Sequence, residues 1–95
     1  MSRPMLTIER RNDRVCYYLD GIRHRDDGPA IEYHSGIKMW YRYGVRHRGD
    51  GPAAIYPALG NVANPTPAFN CWYLNGVRYS EDEYNMITFF GGFGE

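Results

Sequence analysis

The sequence predicts a mainly β fold, an antiparallel meander of β-hairpins capped by a short C-terminal α-helix. Three observations carry that expectation. The heptad "HRDDGPA" at 24–30 returns as "HRGDGPA" at 47–53, inside a longer match of "CYYLDGIRHRDDGPA" (16–30) to "MWYRYGVRHRGDGPA" (39–53) at an offset of 23 residues. Each copy, and a third partial one at "CWYLNGVRY" (71–79), sets a dipeptide ending in Gly after a run of strand formers, which supplies the positive φ of a two-residue hairpin turn. Where a third heptad would follow, "SEDE" at 80–83 begins a helical pattern instead.

The elements follow in chain order. An N-terminal hairpin over 5–19 has strands at about 5–9 and 14–19 with a turn at Asn12-Asp13. Repeat 1 (16–38) turns at Asp20-Gly21, passes through its heptad, and continues as a strand at about 30–34 and a turn at Ser35-Gly36. Repeat 2 (39–70) contributes a strand at about 37–43, a turn at Tyr43-Gly44, a strand at about 53–56 and the inserted segment 57–69. Partial repeat 3 (71–79) holds most of a strand at about 68–74 and turns at Asn75-Gly76. Ser80 then reads as an N-cap with Glu83 at the third helical position. A helix over 81–90 sets Tyr84, Ile87 and Phe90, with Met86 alongside, against the open end of the sheet, and 91–95 is a tail. All of 1–95 reads as a single domain.

Inside the heptads, Pro29 and Pro52 have no N–H for a ladder, and each pushes the preceding Gly28 or Gly51 to extended ψ. The segment is therefore a bend that ends one hairpin and starts the next strand at Ala30 or Ala53. Asp27 and Asp50 are expected to bond nearby backbone N–H groups or the arginines of their own segment, and the two glycines to hold backbone that only glycine tolerates. His24, Asp27, Gly28 and Pro29, with His47, Asp50, Gly51 and Pro52, thus read as a structural set. Cys16, Met39 and Cys71 share one repeat position, so they should form an apolar column with strands between them and no 16–71 disulfide. Tyr18, Tyr41 and Tyr73 fall on that face, and Tyr17, Trp40 and Trp72 on the other.

Hydrophobic content of 43% with 16% aromatics suits a folded chain. "MSRPMLTIERR" lacks an apolar signal core, and no stretch approaches the roughly 20 apolar residues of a membrane span, so a cytoplasmic location is expected. The formal charge is zero, but 1–48 carry ten Lys/Arg against six Asp/Glu and 49–95 one against five. Ten of the eleven basic residues are Arg, which favours stacking and bidentate pairing. Those arginines either pair internally with Asp and Tyr or form a docking face for an acidic partner.

The aromatic-Tyr-x-x-Gly hairpins "MWYRYG" and "CWYLNG", with the "HRxDGPA" extension, resemble the MORN-variant repeats of bacterial, phage and large-virus proteins. The resemblance covers about 16–79. It implies a β-hairpin scaffold that binds proteins or lipid headgroups, with an inhibitor or antitoxin-like role in some members. This chain departs from the pattern in its short array, its degenerate third copy and the nine residues inserted before it.

Chemistry at the heptads is not expected. Repeat-equivalent His24, Asp27, His47 and Asp50 should lie about 10 Å apart across strands spaced ~4.8 Å, too far to share an ion with ~2.0–2.1 Å ligand bonds. Ser35 sits in a turn beside His34, and neither cysteine has an adjacent base, so no catalytic set, metal or cofactor is expected. "FFGGFGE" follows a helix and presents carbonyls, not the N–H groups an anion needs. What remains is a small non-enzymatic module for a protein partner with an acidic surface. The candidate contacts are Arg23, Arg42, Arg46 and Trp40, with Asn61, Asn64 and Phe69 from the insertion, whose plainer role is a connector in which Phe69 and Val62 cover Trp72. An Arg-rich nucleic-acid or phospholipid-headgroup binder is the alternative, though a pI near 6.8 is low for one. A self-assembling structural protein, oligomeric through a strand edge, is the third.

Overall fold

A computed structural model describes residues 4–60 and 62–91, and among them the chain is mainly β with one C-terminal helix. The first hairpin pairs β1 (Leu6–Arg10) with β2 (Arg14–Leu19), and β2 turns back into the short return strand β3 (Ile22–Arg23). After the first heptad come β4 (Ile31–Tyr33), β5 (Lys38–Met39), β6 (Tyr41–Arg42) and its return strand β7 (Val45–Arg46). The second heptad leads to β8 (Ala54–Tyr56), a small excursion of β9 (Leu59–Gly60) with β10 (Pro65–Thr66), and the last hairpin, β11 (Phe69–Leu74) with β12 (Val77–Tyr79). The main sheet runs β1-β2-β4-β5-β8-β11-β12, all antiparallel. This is the expected meander, with the return strands added and the 57–69 segment carrying a ladder of its own.

The expected strand 37–43 is interrupted, and the reason is a change of partner. Its lower half, β5, pairs with β4 and β8, while its upper half, β6, pairs only with its own return strand β7. Trp40 stands at the fork: its N–H donates to the Ala53 carbonyl (2.7 Å) and its carbonyl accepts from the His47 N–H (3.2 Å). Tyr17 does the same in the first repeat, with Ala30 and His24 at 2.8 and 3.1 Å. The heptad therefore spans the gap that opens where a strand leaves one neighbour for another, and proline is tolerated there because the ladder is already parting.

The three hairpin turns at the repeated Gly position have positive φ at both central residues: Asp20 51° and Gly21 78°, Tyr43 51° and Gly44 81°, Asn75 50° and Gly76 85°. This matches the right-handed strand twist.

Register builds the core. On one face Cys16, Ile31, Met39, Ala54 and Cys71 are successive cross-strand partners. The cysteines are both buried and free, with three strands between them. The same registers continued by one residue give the opposite face a row of Tyr17, Ala30, Trp40, Ala53 and Trp72, supported by the backbone bonds at Ala30 and Ala53. Both alanines are fully buried; a larger side chain there would collide with the rings on either side.

The helix α1 (Glu81–Gly91) packs on β11 and β12. Its capping box forms as expected: Ser80 N–H donates to Glu83 Oε1 (2.9 Å) and Glu83 N–H to Ser80 Oγ (3.1 Å). Of the residues expected to close the sheet, Tyr84 is buried and Ile87 half-buried, but Met86 faces outward. The Phe90 side chain and residues 92–95 of the tail lie outside the described residues.

Candidate functional site: the groove between the two heptad arms

Each arm, 24–29 and 47–52, is fastened by its arginine. Arg25 Cζ lies 3.9 Å from the Tyr17 ring centroid and Arg48 Cζ 3.9 Å from that of Trp40. The guanidinium also donates from Nε to the aspartate two residues on (Asp27 at 3.0 Å, Asp50 at 2.9 Å) and from Nη1 to the carbonyl four residues on (Pro29 at 3.2 Å, Pro52 at 3.0 Å). It is thus clamped between an aromatic face and the glycine backbone. A Cβ at Gly28 would stand 3.0 Å from Arg25 Cζ, and one at Gly51 2.8 Å from Arg48 Cζ. This corrects the expected reason for these glycines: neither has a positive φ, and close approach of the guanidinium is what excludes a side chain. The carboxyl of Asp27 is held below its ordinary range, first by the hydrogen bond from Arg25 and then by its charge.

The histidines couple one repeat to the next. His24 Nδ1 accepts from the Tyr43 N–H (2.8 Å) and His47 Nδ1 from the Asn75 N–H (2.9 Å). The ring proton of His24 therefore sits on Nε2, which lies 2.9 Å from Asp26 Oδ1. The Tyr43 ring leans on His24 at 4.4 Å between centroids. Both histidines are buried, and their geometry is that of acceptors for hairpin tips.

The candidate contact residues separate into two groups. Arg23 and Arg46 lie on the face of the cysteine column, in an alternating row Tyr18, Arg23, Tyr41, Arg46, Tyr73. Arg46 donates to the Tyr41 hydroxyl (3.0 Å) and the Tyr73 hydroxyl (3.3 Å) and approaches Met39 Sδ (3.9 Å); burial, the largest single effect, lowers its pKa, and the two tyrosines together outweigh it and leave it raised. Arg23 lies over the Tyr41 ring at 5.1 Å. Intramolecular stacking, the plainer of the two sequence readings, thus accounts for both.

Trp40 and Arg42 are brought together on the opposite face, in a groove of about 800 Å³ between the two arms. Arg25, Asp26 and Gly28 line one wall and Arg48 and Asp50 the other. Arg42 is exposed, whereas Leu74, its counterpart in the third repeat, is buried in the strand on which the helix packs. Asn64 is exposed in the 57–69 excursion and Asn61 lies outside the described residues. Phe69 belongs to β11 and stacks on Tyr56 at 4.5 Å, while Val62 is fully exposed, so neither covers Trp72 as expected.

Sequence reasoning missed Arg25, Arg48 and Tyr84 as site residues. The signal was present for the arginines: each lies eight residues after its aromatic partner, at the same offset in both repeats. Tyr84 had no repeated counterpart to reveal it. Its hydroxyl donates to the Arg48 carbonyl (2.6 Å) and accepts from the Gly51 N–H (3.1 Å), fixing the helix to the second arm; burial pushes its pKa up, so the proton that bridge requires is retained. No helix among the described residues is long and apolar enough to cross a membrane. Comparison with family models, with curated proteins and with solved structures gave no match.

Proposed function

We propose that the chain is a small non-enzymatic protein-binding module and that its partner docks in the groove over Trp40 and Arg42. The observation that carries this reading is the groove itself. It has an aromatic floor, an exposed arginine, and walls whose side chains are already fixed by stacking and hydrogen bonds. Trp, Tyr and Arg are the residues most often dominant in protein interfaces, and a prefixed wall loses little conformational entropy on docking. Inhibition of the partner by occlusion fits a module of this size, as the resemblance to MORN-variant repeats implies. A nucleic-acid role is less well supported, because Arg23, Arg25, Arg46 and Arg48 are engaged with tyrosines or carboxylates of the same chain.

The test is retention of proteins by a tagged copy, read by mass spectrometry, followed by titration of the retained partner against Arg42→Glu. The substitution should weaken the complex by about tenfold or more with an unchanged melting temperature. Full retention by the variant would move the interface away from the groove. Binding that falls steeply with salt and follows nucleic acid would replace the reading.

A further inference from the structure

We infer that the groove is a receptor for a tyrosine side chain of the partner, whose hydroxyl bridges the Gly28 N–H and the Arg25 carbonyl. This deepens the protein-binding reading and rests on it. The argument comes from comparing the two arms, which are related by the 23-residue repeat. At the second arm the Gly51 N–H and the Arg48 carbonyl are joined by one oxygen, the Tyr84 hydroxyl, which accepts from the first and donates to the second. Gly28 and Arg25 are the residues 23 positions earlier. They hold the same place against the same clamped guanidinium, with the Arg25 Nε–Asp27 and Nη1–Pro29 bonds matching those of Arg48. Both residues line the groove, and among the described residues no hydrogen bond is made by the Gly28 N–H or the Arg25 carbonyl.

The surroundings match as well. Helix α1, which carries Tyr84, packs on β11 and β12, the hairpin containing Trp72 and Leu74. The repeat equivalents of those two residues are Trp40 and Arg42, and they line the groove. The groove is thus to the first arm what the helix seat is to the second.

The donor–acceptor pair also selects the chemistry of its ligand. A carboxylate or a fully ionised phosphate monoester only accepts and would face the Arg25 carbonyl without a proton to give, and an ammonium only donates and would leave the Gly28 N–H unmet. A neutral hydroxyl does both through one atom. At the second arm that hydroxyl is carried by an aromatic ring, and an aromatic floor at Trp40 suits the same ring at the first.

The chain supplies its own probe. A synthetic peptide of residues 80–89, "SEDEYNMITF", and its Tyr84→Phe analogue are titrated separately into the 15N-labelled full chain. The parent peptide should shift the Gly28 amide and the Trp40 indole N–H in a saturable way, and the analogue should bind roughly tenfold more weakly for want of the bridge. Equal binding by the two peptides would overturn the inference. So would shifts confined to Gly51 and α1, which would mean only exchange with the chain's own helix, or no shift at Gly28 at millimolar peptide. Because the peptide experiment needs no native partner, its failure leaves the Arg42→Glu result standing, and failure of the latter leaves the peptide result interpretable.

Discussion

An arginine brings to a surface a flat cation with an edge of N–H donors, and each arm uses both the face and the edge. In Arg48 the guanidinium covers Trp40 on one side and meets Gly51 on the other while its N–H groups hold Asp50 and the Pro52 carbonyl. The sequence shows that Arg, Asp, Gly and Pro recur together, but not that the glycine serves the arginine, because the contact depends on a bend whose angle no local propensity sets. Gly51→Ala separates the two accounts of this glycine. Under close approach the new methyl displaces the Arg48 guanidinium, costing about 1–2 kcal/mol in urea unfolding, and most of that cost should vanish in an Arg48→Ala background, where nothing is left to displace. Equal costs in the two backgrounds would point to backbone strain, as the sequence alone suggested.

At the scale of elements, the hairpins were legible because a two-residue turn demands particular residues, and Asp-Gly and Asn-Gly announce it. Tyr43 announces nothing by itself. Its positive φ of 51° is inferred only because it aligns with Asp20 and Asn75. The split at Trp40 was not legible, since a strand that changes partner halfway has the same alternation as one that does not. The helix start was read correctly from its capping box, and that box gives the element a pH dependence. Glu83 is held below its ordinary carboxyl pKa by the hydrogen bonds with Ser80, the backbone bond first. A depressed folded-state pKa means the contribution is present above the unfolded value of about 4.3 and is lost as pH falls through the lower folded value. The seating of α1 should therefore loosen in that acid window. An NMR titration of Glu83 should show its midpoint below the ordinary value and only part of that depression lost in Ser80→Ala, which removes the hydroxyl but keeps the backbone N–H that donates to Glu83; the change also removes about 1 kcal/mol at neutral pH. An ordinary Glu83 midpoint in the parent chain, or one restored in full by Ser80→Ala, would remove the backbone bond as the main cause.

The whole molecule is thin and extended. Its axes measure 57 × 41 × 17 Å and its radius of gyration 15.0 Å, against roughly 12–13 Å for a compact chain of this length. Thinness follows from the repeat, because each unit is joined to its neighbour through the same three hydrogen bonds. The hairpin tip gives its N–H to a histidine (Tyr43 to His24, Asn75 to His47), and the next glycine bonds the carbonyl before that histidine (Gly44 to Arg23, Gly76 to Arg46). The residue after the histidine then reaches the following strand (Arg25 to Tyr41, Arg48 to Tyr73). The period and the identity of the units were legible at this scale. The groove was not, because it is the space between two arms and no residue type encodes a gap. Stability in such an array is a sum of unit and neighbour terms, so a second copy of 24–46 inserted after Arg46 should fold, melt at a higher temperature in one cooperative step, and scatter with a radius of gyration above that of the parent. It also creates one more arm and one more groove, and should take up a second equivalent of the 80–89 peptide. A lower melting temperature or two separate transitions would show that the contacts at the ends of the sheet, at β1 and at α1, hold the fold more than the repeated joints do.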